Sequence, residues 1–269
     1  MKTNLLFTLT FIFFTGYSYS QTSIATIESE MVLVEGGSMN LQGRLVTLPS
    51  YYCSKYEVTQ RLFEEVMGYN PVTSPQYEGP LKPVINYNYP WAKSYFNWKD
   101  YFIFCNELNA YLNLPKVYYK DIELKIPYSM KDTGQVEDCF MDFNSSGYRF
   151  PISVEWEYAA RGGQKSMNYT YSGSNNFADL SIWGVLQSVG TMIPNELGIY
   201  NMSGNAAEFT FDQVFGTGSD NCHPSQVWVG GGIFYQNRGG DFYTDKQNAH
   251  LHYFFGYNAK GIRLFKNKQ

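Results

Sequence analysis

Charge is scarce in this sequence. Asp, Glu, Lys and Arg make up 16% of its 269 residues. The net charge of −4, with Lys and Arg scattered, leaves no basic stripe for a nucleic acid to follow. There are only three histidines. The four cysteines, Cys53, Cys105, Cys139 and Cys222, form no CxxC pair, so zinc-knuckle spacing is absent. No P-loop, HExxH or Gly-x-Ser-x-Gly pattern occurs, and no Ser/His/Asp triad is favoured. No Ser/Gly/Pro linker divides the chain, and no repeat period is visible. What is plentiful is aromatic: 18% of the residues are Phe, Trp or Tyr, within a hydrophobic fraction of 44%. That composition belongs to a folded chain, long enough to bury a core without staples.

The N-terminus reads differently from the rest. Lys2 supplies a positive start, Leu5 to Phe14 is apolar apart from threonines, and Ser18-Tyr19-Ser20 places small residues where a signal peptidase cuts. The apolar run is well short of the roughly 20 residues that a membrane span needs. We therefore expect a signal peptide over 1–20, cleaved before Gln21, an N-terminal extension over 21–30 and a single domain over 31–269. The product would be exported, to the periplasm, the cell surface or the medium, with no membrane span. The cysteine nearest the cleavage point is Cys53, so a lipid anchor is not expected. Export permits disulfides. Four cysteines allow three pairings, and buried free thiols stand as an equal alternative.

Along the chain, short alternating runs predict strands at Met31–Val34, Leu45–Leu48 and Tyr51–Cys53, the first ending in a turn at Gly36-Gly37. Thr59 predicts the N-cap of a helix carrying Leu62, Phe63 and Val66. Residues 68–89 read as a long irregular loop. Trp98–Leu112 predicts a second helix with Tyr101, Phe102, Cys105 and Leu108 on its apolar face. Ser153–Arg161 predicts a third, capped by Ser153, with Glu155 and Glu157 in its first turn and Gly162 suited to a left-handed C-cap. Trp156 and Tyr158 fall on opposite sides of it. After it nearly everything reads as loop or short strand until Gly261–Phe265 closes the chain. Few helices, many short strands and long loops make an α+β pattern, and long loops in a compact domain are usually functional.

Several blocks carry a family resemblance: Met31–Met39 with Ser54–Thr59; Phe104–Asn109; Gly147-Tyr148-Arg149-Phe150-Pro151 through Arg161-Gly162-Gly163; Pro194 through Asn201-Met202-Ser203-Gly204-Asn205-Ala206-Ala207-Glu208 to Asp212; Asn237–Phe242; and Gly261-Ile262-Arg263-Leu264. Together they resemble the formylglycine-generating enzymes and sulfatase-modifying factors over almost the whole chain from Met31 to Phe265. The resemblance implies an α+β, C-type-lectin-like fold with little regular secondary structure. It also implies a structural calcium site, with Asn201 and Glu208 binding through side chains and Gly204 and Ala206 through carbonyls, donors that suit a hard cation. A turn held by side-chain hydrogen bonds is the alternative at those positions. The family's other calcium site would fall near residues 179–183, where the match is too poor to carry over.

The family's enzymes oxidise a cysteine to formylglycine, binding copper through two cysteines, soft ligands suited to Cu(I). Counted from Arg238-Gly239-Gly240, those places fall at Thr244 and Ala249, and no cysteine lies between Val229 and Phe265. Copper and formylglycine synthesis are therefore not expected, and no catalytic residue is assigned. The surrounding stretch is crowded with Tyr235, Gln236, Asn237, Asp241, Tyr243, Asp245, Asn248, His250, His252, Tyr253, Tyr257 and Asn258. Tyr and Asn are favoured in recognition surfaces, and the same fold displays ligand-binding loops in variable proteins. Filling gaps between loops is the alternative for these aromatics. Three functions follow. The first is a pseudoenzyme, a binding or scaffold module for a protein, peptide or glycan. The second is a metal-dependent oxidation or maturation enzyme with His250, His252 and Asp241 or Asp245 as ligands. The third is a component of a secretion or gliding assembly like the related Bacteroidetes lipoproteins.

Overall fold

The computed structural model describes residues 22–41, 44–87, 98–132, 138–213, 235–244, 249, 251 and 259–269. The chain opens with a short 3-10 turn, Ile27–Glu30, whose Ile27 already sits in the main core. Then come β1 (Met31–Val34), β2 (Gly37–Leu41), β3 (Arg44–Leu48), β4 (Tyr51–Ser54), α1 (Gln60–Met67), β5 (Asn86–Tyr87), α2 (Trp98–Tyr111), β6 (Tyr118–Tyr119), β7 (Phe140–Met141), β8 (Tyr148–Arg149), α3 (Ser153–Ala160), β9 (Ala207–Gln213), β10 (Tyr235–Arg238), β11 (Ala259–Gly261) and β12 (Phe265–Asn267).

Local chemistry explains α1. The Thr59 hydroxyl accepts the Leu62 N–H at 3.2 Å, capping the helix, and Gly68 ends it at φ 76°. Leu62, Phe63 and Val66 are buried, as their helical spacing requires. α2 buries Tyr101, Phe102, Cys105 and Leu108, the face expected of it.

α3 departs from expectation at its start. Ser153 is its first helical residue and does not cap it; Ile152 is the N-cap, and Glu155 reaches back to accept the Ile152 N–H at 3.0 Å. The Ser153 hydroxyl instead accepts the Arg238 guanidinium at 2.6 Å. All eight α3 residues are buried, Trp156 and Tyr158 alike, so this helix has no solvent face. Gly162 follows at φ 86°, in the left-handed region expected of it.

The described strands build two four-stranded sheets. One has the order β1-β4-β12-β8 and the other β10-β9-β11-β5, with β2-β3 and β6-β7 as separate pairs. All pairings are antiparallel except β9 with β11. The closing block Gly261–Phe265 therefore divides. β11 belongs to one sheet and β12 to the other, and Ile262, Arg263 and Leu264 cross between them outside either strand.

Aromatic rings join α2 to both layers. Phe102 lies 5.0 Å from Tyr118, Tyr118 5.4 Å from both Phe150 and Phe211, and Phe150 5.1 Å from Phe209. Each such pair contributes about 0.5–1.5 kcal/mol beyond simple burial. Cys53, Cys105 and Cys139 are free thiols buried in the same core. No helix among the described residues is long and apolar enough to cross a membrane; Leu5–Phe14 lies outside them.

Candidate functional site

The loop after Tyr200 is shaped by left-handed backbone. Asn201 (φ 60°), Gly204 (φ 84°) and Asn205 (φ 63°) wind it tightly. At Gly204 a side chain would collide with Ser181, since a Cβ there would stand 2.4 Å from the serine Cβ. Gly204 N donates to Gly239 O at 2.8 Å, and Phe242 N to Asn205 O at 2.9 Å. The 201–205 loop and the 239–244 turn are thereby stitched together.

Beneath them lies a buried charge cluster. Both Glu208 oxygens accept the Arg263 Nε at 2.9 Å; Oε1 also takes Arg263 Nη2 at 2.5 Å, and Oε2 takes the Trp156 indole N–H at 2.6 Å. Arg263 further donates to the carbonyls of Ser54 and Tyr200. Burial opposes its charge, yet Glu208 holds the guanidinium above its ordinary range. Glu57 stands close by, accepting the Ala206 N–H and the Asn205 amide. Burial, and then the charge of Glu208, push its carboxyl up to about 8.

This arrangement bears on the expected calcium donors. Asn201, Gly204, Ala206 and Glu208 do converge on one loop. However, the Asn201 side-chain oxygen accepts Gly190 N–H at 3.1 Å. Each Glu208 oxygen already has two donors, as many as its lone pairs serve. The orphaned polar atom at Asn201 is Nδ2, a donor rather than a cation ligand. As arranged, the set offers a cation no open carboxylate and does not fit calcium. Asp179, near the second expected site, accepts Ser174 Oγ at 2.8 Å and Asn176 Nδ2 at 2.9 Å. Among the described residues no group of three or more His, Cys, Asp or Glu could hold a metal.

The two places aligned with the copper cysteines are apart in character. Thr244 is folded into a turn: its hydroxyl accepts Asp241 N–H at 2.8 Å and donates to Asp241 Oδ1 at 3.0 Å. Ala249 is fully buried against Tyr171 and Leu180. Of the expected recognition residues, Asn237 and Asp241 are buried, while Tyr243 reaches solvent at 36% exposure. Asp245, Asn248, His250, His252 and Tyr253 lie outside the described residues, as do Tyr257, Asn258 and the side chains of Tyr235 and Gln236.

Tyr243 does not stand alone. Its hydroxyl meets that of Tyr77 at 3.0 Å, its ring lies 4.5 Å from Phe242, and the Trp183 ring packs edge-on at 5.9 Å. Trp183 is 68% exposed, and its loop neighbours Ile182, Val185 and Ile193 are also exposed. This aromatic platform joins three distant segments, with Tyr77 buried beneath it, and Trp183 is not marked in the sequence as a recognition residue. The available signal was the stretch 181–194, which contains a tryptophan and no charged residue.

One antiparallel and one mixed sheet wrapped by long loops, with α2 and α3 packed among them, define an α+β fold of the formylglycine-generating-enzyme type. The sequence profile of the sulfatase-modifying factor enzyme 1-like domain matches residues 19–268, and the chain belongs to that family. It is similar to "Chaperone protein LppX" of Paenibacillus barcinonensis, with 31% identity over 92% of this chain and 91% of that one. Among solved structures it resembles Treponema denticola variable protein 1 (TM-score 0.70, 24% identity, 88% of this chain and 95% of that one). It also resembles CarF (0.63, 22%, 89% and 98%) and PvdO from Pseudomonas aeruginosa (0.52, 18%, 88% and 94%). At these identities the structural likenesses establish the fold.

Proposed function

We propose that this chain is an exported, non-catalytic member of the family that holds a ligand on the surface around Trp183 and Tyr243, with the buried Tyr77 supporting Tyr243 from below. One observation carries the reading. Where the family's copper cysteines would align stand a threonine locked into its own turn and an alanine sealed in a core cluster, and beside them aromatic side chains face solvent. Neither aligned side chain can supply the soft ligand that Cu(I) chemistry needs, whereas exposed aromatics are the residues on which recognition surfaces are built. The relative named a chaperone supports a binding role. Export rests on Lys2, the apolar run Leu5–Phe14 and the small residues before Gln21.

The test is direct. The purified protein, incubated with copper and a cysteine-containing sulfatase peptide, should form no aldehyde, and copper should leave its melting temperature unchanged. Aldehyde formation would end the non-catalytic reading. N-terminal sequencing of the exported form should begin at Gln21; an intact Met1 would remove the export.

A further inference from the structure

The chemistry of the platform narrows its ligand, an inference that rests on the binding reading above. Ile182, Trp183 and Val185 occupy one turn, closed by the Val185 N–H to Ile182 O bond at 3.2 Å. The loop carrying them is anchored along its length. Gly184 N donates to Phe242 O at 2.6 Å, Gln187 N to Asn205 Oδ1 at 2.9 Å, Val189 N to Leu81 O at 2.9 Å and Gly190 N to Asn201 Oδ1 at 3.1 Å. The apolar side chains are thus held outward by a fixed backbone, and a surface ordered in advance binds without the entropy cost of forming itself.

Charge then discriminates among occupants. Residues 71–77, 181–194 and 242–244, which contribute the platform, contain no Asp, Glu, Lys or Arg. A charged ligand pressed against them would shed its hydration and meet no counter-charge. A sugar ring could stack on Trp183, but Ile182 and Val185 in the same turn neither donate to nor accept from hydroxyls. Among those residues a nucleic acid would find no cation. We propose that the platform takes an uncharged, apolar stretch of a partner polypeptide, of the kind an unfolded client exposes.

The experiment titrates the full exported protein with a fluorescein-labelled peptide of leucine, phenylalanine and serine, read by anisotropy. A counterpart peptide with lysine and glutamate at alternate positions and a chito-oligosaccharide run in parallel, and Trp183→Ala and Tyr243→Ala are compared with the parent. The uncharged peptide should bind, the other two should not, and Trp183→Ala should weaken binding by roughly thirtyfold, as loss of an aromatic anchor does. Because Trp183 is exposed, its melting temperature should not move. Equal binding of the charged peptide, or binding of the oligosaccharide alone, would overturn the apolar partner while leaving the binding reading in place. A dimer in sedimentation that Trp183→Ala dissolves would assign the platform to a second copy and overturn it too. Peptide binding unchanged in both variants would sink the site itself.

Discussion

Glu208→Gln should destabilise the protein more than its single lost charge suggests. The wild-type carboxylate takes the Trp156 indole at 2.6 Å and two Arg263 nitrogens at 2.5–2.9 Å, with both partners shut away from solvent. Glutamine keeps the volume and one acceptor oxygen, but turns an NH2 group toward Arg263 and leaves a buried guanidinium uncompensated. Removing one partner of such a pair costs about 3–5 kcal/mol. Glu57 offsets part of this. Its carboxyl is held up partly by the Glu208 charge, so it ionises more readily once that charge is gone. We therefore expect the lower end, about 3 kcal/mol, or a fall in melting temperature of roughly 6–12 °C for a domain of this size. Guanidinium unfolding followed by tryptophan fluorescence measures it. Arg263→Met should cost a comparable amount, and the double variant should cost at least about 1 kcal/mol less than the sum of the singles, because it orphans no charge. A Glu208→Gln loss below about 1 kcal/mol, or strictly additive singles, would refute the claim that this pair neutralises the centre of the fold.

The same packing sets further outcomes. Asn106 donates to Tyr118 O and Tyr128 O and accepts the N–H groups of Val117 and Tyr118; Asn106→Leu strips these bonds from the Val117 and Tyr118 amides and the Tyr128 carbonyl, while Tyr118 O keeps the Tyr128 N–H. It should cost roughly 3–5 kcal/mol and speed hydrogen exchange at the Val117 and Tyr118 amides first; a uniform change across the chain would contradict this. Burial holds the thiols of Cys53, Cys105 and Cys139 well above their ordinary range, so iodoacetamide at pH 8 should leave all three unlabelled until guanidinium unfolds the protein, as peptide mass spectrometry would show. Because Arg263 already satisfies Glu208, chelating calcium should leave the melting temperature in place; a calcium-dependent rise that disappears in Asn201→Ala would restore the cation site expected from the family.

What could be read from the sequence depended on how far apart the deciding groups lie. The α1 cap was legible because Thr59 and Leu62 are three residues apart and the bond between them is local. The α3 cap was misread because the Ser153 hydroxyl serves Arg238, 85 residues away, and no periodicity records such a partner. The path of the closing block was hidden for a related reason. Gly261–Phe265 is continuous in sequence but changes sheets, and the crossing is what carries Arg263 to Glu208. Composition has the same limit at the recognition surface. Asn237, Asp241 and Tyr243 belong to one polar-aromatic stretch, yet the fold buries the first two and exposes the third. Trp183 carries no mark of its own in the sequence, because nothing in a one-dimensional pattern tells an exposed tryptophan from a buried one. Its meaning comes from the bond between Gly184 and Phe242, which brings an uncharged loop beside Tyr243. A family framework visible in the sequence can thus carry a working surface that only tertiary contacts assemble.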